Sequence, residues 1–122
     1  MLLTGFAAIA LLAPAPASAA EETAVGYEPL MEGRVSAAIA EIESNDQLEA
    51  NDPARLINLG IAYAQLGRTA EARAMFEAAM RGDDRVSLET AGGEWKDSRH
   101  LARQALALLD RGELHSERMA SR

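Results

Sequence analysis

The sequence predicts a small all-α protein, and three observations support this fold class. Alanine and leucine supply most of the apolar side chains, and aromatic residues make up only 4% of the 122 residues. Apolar residues recur at helical spacing in four segments between about residues 30 and 111. A glycine or a polar turn closes each segment. Small side chains at this spacing suit closely packed helices better than a β-sandwich or a barrel.

The chain is predicted to begin with an export signal. Residues 1–20 hold no charged side chain, and the apolar run of residues 2–13 ends at Pro14. Residues 17–19 (Ala-Ser-Ala) then supply the small-x-small pattern that a signal peptidase recognises. The run is shorter than the roughly 20 residues that span a bilayer, so no stable membrane insertion is expected after signal removal. We therefore expect a periplasmic or secreted protein in which residues 21–29 form a linker.

Two helices are predicted in the first half of the mature chain. The first should span about residues 30–44, whose apolar side chains fall at i, i+3, i+4 and i+7. The second should begin behind Asp52, an N-cap residue followed by proline at the first helical position, Pro53. Gly67 should end the second helix, because glycine adopts the left-handed conformation that terminates many helices.

The second half predicts two more helices and a short β-hairpin. The third helix should span about residues 69–81, and a polar turn follows it. Alternating residues around a Gly-Gly pair indicate a hairpin at about 85–97. Asp97 or Ser98 should cap a final helix at about 99–111 with a broad apolar face. The tryptophan of the hairpin, Trp95, is expected to pack the hairpin onto that helix, and the alternative is a binding residue.

Residues 53–86 carry small and bulky apolar residues at fixed spacings. Gly60 falls inside the second helix, where glycine costs about 1 kcal/mol relative to alanine, so a neighbouring helix is expected to approach closely there. Ala72 is the small residue expected opposite Gly60, and Tyr63 and Phe76 should fill the space between the two helices. The spaced positions together are Leu56, Leu59, Gly60, Tyr63, Gly67, Ala72, Phe76 and Ala79.

This spacing resembles the signature of the tetratricopeptide-repeat family over one 34-residue unit, residues 53–86. Leu56 replaces the usual tryptophan, and Asp84 stands where the family usually has proline. The resemblance implies an antiparallel helix hairpin that binds a peptide or partner protein in a groove lined by the first helix of each repeat. Asn58 occupies a position where these proteins often hydrogen-bond an extended peptide backbone. The implied lining of the groove consists of Ala54, Ile57, Asn58, Ile61 and Gln65.

Neighbouring segments extend the repeat unequally. A shift of 34 residues places Gly67 on Gly33, so residues 33–45 are predicted to be the second helix of a preceding repeat whose first helix is missing. Downstream the register fails. The final helix is therefore either a degenerate first helix displaced by an insertion or a dedicated cap. We expect one helical domain over residues 30–112 and a flexible tail over residues 113–122.

Charge and composition narrow the classes of function. The formal net charge of −7 disfavours nucleic acid as a partner, because such partners reward clustered Lys and Arg. The chain has no cysteine, which excludes disulfides, thiolate metal sites and cysteine nucleophiles. His100 is expected on a helix surface, and His115 lies in the predicted tail without the usual set of metal ligands. No catalytic motif, cofactor site or metal site is predicted.

The expected function is a non-enzymatic protein-interaction or scaffolding module of the bacterial periplasm. The alternative is a self-associating structural or assembly protein without a separate ligand, a homo-oligomer. Residues 21–52 contain one arginine against nine acidic residues. In the alternative they attract Arg99, Arg103 and Arg111 of a neighbouring copy in a head-to-tail contact.

Overall fold

The computed structural model describes residues 26, 29–30, 32–90 and 92–114. The predicted all-α class with a short hairpin is confirmed for this part of the chain. The predicted signal peptide lies outside the described residues, as do most of the linker and most of the tail. Among the described helices, none is long and apolar enough to cross a membrane. The elements are α1 (Val35–Glu43), α2 (Pro53–Gln65), α3 (Thr69–Arg81), β1 (Ser87–Glu89), β2 (Trp95–Asp97) and α4 (Ser98–Asp110).

Local sequence signals set both ends of α2, as predicted. The Asp52 side chain accepts a hydrogen bond from the Arg55 amide at 3.1 Å, which satisfies one of the free N–H groups of the first turn. At the other end Gly67 has φ +79°, and the Arg68 amide donates to the Tyr63 carbonyl at 2.9 Å. This is the Schellman turn, in which a left-handed glycine lets the chain leave the helix with its last carbonyls satisfied.

The same turn occurs 34 residues earlier, before α1. Gly33 also has φ +79°, and the Arg34 amide donates to the Pro29 carbonyl at 2.8 Å. The helix that was predicted to start near Leu30 therefore begins at Val35, because the left-handed conformation of Gly33 interrupts it. Pro29 and Leu30 are helical, so the end of a preceding helix is present where the sequence indicated none. Its repeated turn places α1 in the position of a second helix, as the 34-residue shift predicts.

Helix α2 is enclosed by its neighbours. It contacts α1, α3 and α4, whereas α3 packs mainly between α2 and α4. Both the signature positions and the opposite side of α2 are buried as a result. The core consists of Leu30, Val35, Ala38, Leu56, Ile57, Ile61, Ala62, Ala64, Ala72, Phe76, Ala79, Leu101, Ala102, Ala105, Leu109 and Leu114.

The hairpin between α3 and α4 is short and well anchored. Its strands pair antiparallel with Leu88 opposite Lys96, and Leu88 packs against the core. Gly93, at φ +86°, allows the tight turn that reverses the chain. At the base of the hairpin the Ser98 amide donates to the Val86 carbonyl at 2.8 Å, and the Ser98 hydroxyl accepts from the Val86 amide at 3.1 Å.

Helix α4 repeats the construction of α2. Each helix has 13 residues, and the Asp97 side chain caps α4 by accepting from the His100 amide at 3.1 Å, as Asp52 caps α2. Gly112, at φ +72°, follows α4 as Gly67 follows α2. Both equivalent pairs are 45 residues apart, 11 more than the 34-residue repeat. This correspondence favours a degenerate first helix over a dedicated cap, with the hairpin as the insertion that displaces it.

Candidate interaction surface

The five residues predicted to line a groove all lie on α2, but they do not form an open surface. The side chains of Ile57, Asn58 and Ile61 are 0% exposed, and that of Gln65 is 8% exposed. Ala54 is half-buried. The expectation that Asn58 lies outside the core is wrong, because α2 is contacted by α1, α3 and α4 together. Binding of a partner by these five residues stays a prediction.

The signature positions form the contact between α2 and α3. A Cβ atom added to Gly60 would lie 2.7 Å from Cδ1 and 2.8 Å from Cζ of Phe76. The atoms nearest to Gly60 therefore belong to Phe76, and not to Ala72 as the spacing suggested. Ala72 is fully buried beside this contact. The close approach predicted at Gly60 is present, with an aromatic ring rather than a second small residue as its partner.

Tyr63 connects α2 to α1 as well as contributing to the core. Its hydroxyl donates to a Glu43 carboxylate oxygen at 3.1 Å, and the Arg68 guanidinium lies 4.7 Å from the centre of its ring. Burial, followed by the adjacent Glu43 carboxylate, raises the pKa of the Tyr63 phenol. Tyr63 was predicted to fill the space between α2 and α3, yet its polar end reaches the preceding helix.

Two of the three arginines proposed for self-association are already engaged within the chain. Arg99 donates to the Gly82 carbonyl at 2.6 Å, which satisfies the end of α3. Arg111 pairs with Glu113 at 3.1 Å. Arg103 is exposed and forms no ion pair within the described part of the chain. A head-to-tail contact based on charge would therefore rely on Arg103.

Trp95 is the most exposed large hydrophobic residue of the described chain. Its side chain is 60% exposed, so the prediction that it packs the hairpin onto α4 is wrong. Leu88 makes the contact with the core instead. Successive side chains of a strand point to opposite faces, and the register places Trp95 opposite Glu89 on the face away from Leu88. Sequence alternation alone did not indicate which face would meet the core.

Titratable groups in the described ranges do not converge on one site. No group of three or more His, Asp or Glu residues there is placed to hold a metal ion. His100 is exposed on the first turn of α4, as expected, and His115 lies outside the described residues. The candidate site therefore consists of surfaces for another macromolecule: the largely closed side of α2 and the outer face of the hairpin.

Comparison with known proteins identifies the repeat. Residues 54–82 match the family model described as tetratricopeptide repeat. The chain is 36% identical over 102 residues to cellulose synthase operon protein C of Komagataeibacter xylinus, and the alignment covers 70% of this chain. The matched region is 8% of the length of that protein, so the likeness concerns a small part of it. No solved structure matches the chain.

Proposed function

We propose that this chain, which contains a tetratricopeptide repeat, is a non-enzymatic protein-interaction or scaffolding module of the bacterial periplasm. The family suggests protein–protein interaction in general. One observation supports the proposal here: the complete repeat folds as the helix pair of that family, with Phe76 seated on Gly60. A second first helix, α4, follows it and contacts α2. First helices side by side are the elements with which such repeats present a binding surface.

The proposed binding surface is the side of α2 that carries the five predicted residues. Ala54 is the partly exposed member, and it lies in the first turn of the helix. Since Ile57, Asn58 and Ile61 are buried, a partner would first contact Ala54 and would reach the other residues only where the covering part of the chain moves aside. The ligand would be a peptide or a partner protein, in keeping with the family.

Site-specific photo-crosslinking tests this surface, because it captures whichever protein lies against the labelled position. A photoreactive amino acid replaces Ala54 on α2 in one variant and the exposed Ala74 on α3 in a matched control. The full chain is produced in its native cells, irradiated and recovered from the envelope. We expect a discrete crosslinked protein from position 54 that is absent from position 74. Equal labelling at both positions, or none, would contradict a binding surface on α2.

Export is part of the proposal and has a separate test. The apolar run and the Ala-Ser-Ala site of residues 17–19 support cleavage by a signal peptidase. N-terminal sequencing of protein recovered from the periplasm should give a mature chain that begins near Ala20 or Glu21. A soluble product that retains residues 1–19 would contradict the signal peptide.

The alternative function, self-association without a separate ligand, makes a different prediction. Arg103 is the exposed arginine that supports it, because its charge has no ionic partner in the described ranges. The molecular mass of the mature chain, measured by light scattering at several concentrations, distinguishes the two proposals. A mass that doubles or rises further with concentration, and falls back in Arg103→Gln, would favour self-association. A constant monomeric mass would favour binding of a different protein.

A further inference from the structure

The hairpin presents an aromatic ring and a carboxylate side by side on its outer face. Trp95 lies on β2 and Glu89 lies directly opposite on β1. We propose that this pair binds a lysine or arginine side chain of a protein partner, with the cation placed on the indole ring and beside the carboxylate. This surface is separate from the side of α2, so the inference goes beyond the proposed function.

The strand register brings the two side chains close together. The Thr90 amide donates to the Glu94 carbonyl at 2.8 Å, and the Ser98 amide donates to the Val86 carbonyl at 2.8 Å. In an antiparallel pair, hydrogen-bonded and non-hydrogen-bonded residue pairs alternate, so Glu89 and Trp95 form a non-hydrogen-bonded pair. Cross-strand side chains are closest in such pairs, with Cα atoms about 4.5 Å apart.

The carboxylate of this pair is available to a cation. Glu89 forms no ion pair with any other described residue, whereas Glu94 pairs with Lys96 at 3.2 Å and Asp97 with Arg85 at 2.6 Å. The neighbouring basic groups are thus already neutralised, and the outer face keeps one unpaired negative charge beside the ring. A cation that meets an indole face is attracted by the ring quadrupole, and tryptophan is the best aromatic residue for this contact.

The hairpin holds the pair in place before any partner binds. Leu88 packs on the core, and Thr90 and Ser98 are fully buried on either side of the paired strands. Both hydrogen bonds between Val86 and Ser98 close the base of the hairpin. Binding therefore orders little additional chain, which lowers the entropic cost of association.

The position of the hairpin in the repeat also supports a role in binding. It belongs to the 11 residues by which the step from α2 to α4 exceeds the 34-residue repeat, so the helical stack does not require it. Segments added to a rigid scaffold and held in one conformation commonly carry binding residues. Tryptophan at an exposed, anchored position is the residue type most often found to dominate the binding energy of an interface.

A cationic partner fits the charge of the chain better than a neutral one. The formal net charge is −7, and the chain around the hairpin adds the exposed acids Asp83, Asp84 and Glu94. Such a surface attracts a basic segment and accelerates its association. A neutral sugar could stack on the indole ring, but it would gain nothing from the negative charge of Glu89.

Fluorescence titration tests the proposal, because Trp95 is the only tryptophan of the chain. The probe is a hexa-arginine peptide, and hexa-serine and cellohexaose serve as neutral probes. We expect a saturable change in emission with hexa-arginine that weakens as salt is added. Glu89→Gln should lower the affinity at least about fivefold more than Glu49→Gln, which removes the same charge from the turn before α2. Trp95→Ala, measured by calorimetry, should lower the affinity about tenfold.

Three results would overturn the inference. Equal losses of affinity in Glu89→Gln and Glu49→Gln would mean that the peptide responds only to the net charge. A saturable response to cellohexaose that persists in Glu89→Gln would identify a sugar surface instead. An absent fluorescence change with hexa-arginine would mean that no cation reaches the ring. Each result leaves the crosslinking outcome at Ala54 unaffected, so the two proposals fail independently.

Discussion

The ring of Phe76 on α3 lies directly against the backbone of Gly60 on α2. A Cβ atom at position 60 would come within 2.8 Å of three ring atoms, closer than any ordinary carbon–carbon contact. Phe76 is fully buried and packed by both α2 and its own helix, so the ring has little room to move. This contact fixes the distance between the two helices of the repeat.

Gly60→Ala should destabilise the fold even though alanine favours helices. Alanine gains about 1 kcal/mol over glycine in a helix interior, but the collision with Phe76 should exceed this gain. We expect the free energy of unfolding to fall by about 2 kcal/mol net, measured from urea denaturation. Phe76→Leu should relieve the collision, so the double variant should lose less than the sum of the two single losses. Additive losses would mean that the two residues do not touch.

Ala72→Leu should cost more stability than Ala74→Leu. Ala72 is fully buried in the helix pair, and extra methylenes in a packed core typically cost about 1–3 kcal/mol. Ala74 is exposed on the same helix, and an exposed change usually alters stability by no more than about 0.5 kcal/mol. The urea midpoints of both variants decide the matter. Equal midpoints would be incompatible with the observed packing of α3.

Asn58→Ala should lower stability, in contrast to the expectation from the sequence. The side chain is 0% exposed and interacts with another group in the chain. Its loss should cost about 1–3 kcal/mol, because the interaction disappears and a buried group loses its partner. Asn51→Ala, at an exposed turn, serves as the control with the same chemical change. Unchanged melting of the Asn58 variant would place that side chain at the surface.

Asp97 should make stability depend on pH at the acid end. The Arg85 guanidinium, and then the cap bond to His100, hold the pKa of this carboxyl below its ordinary value. Its contribution is therefore complete above the unfolded-state pKa, and it is lost as the pH falls from about 4 through the lowered pKa. Melting temperatures of Asp97→Asn should lie below those of the unmodified chain near pH 7 and approach them near about pH 3.

Asp84→Asn provides the control for this pH dependence. Asp84 is exposed and forms no ion pair in the described ranges. Its substitution should leave the difference between neutral and acid pH unchanged. If Asp97→Asn and Asp84→Asn gave the same melting curves at every pH, neither the cap nor the ion pair of Asp97 would contribute to stability.

The boundaries of the helices could be predicted because their signals are local. Asp52 and Asp97 act through the amides three residues ahead of them, and Gly67 ends its helix through its own backbone conformation. The spacing of the repeat likewise predicts which residues of α2 meet α3. The turn at Gly33 was missed, because the apolar spacing of residues 30–44 continues across it.

Burial at the candidate surfaces could not be predicted in the same way. Asn58 is enclosed because α1, α3 and α4 all reach α2, and that depends on the packing of the whole chain. Trp95 is exposed because the strand register directs Leu88, and not the indole ring, to the core. The family signature covers one repeat and contains no information on the insertion that follows it.

The contacts between consecutive helices also determine how the chain folds. Apart from the contact of α2 with α4, each described helix packs on the helix next to it in sequence. Such a fold closes only short loops, and proteins with mostly local contacts fold in microseconds to milliseconds. The α2–α3 pair, joined by the turn at Gly67, supplies a nucleus to which α1 and α4 can add from either end. Folding that propagates in this way exposes little unpaired apolar surface while the chain waits for its ends.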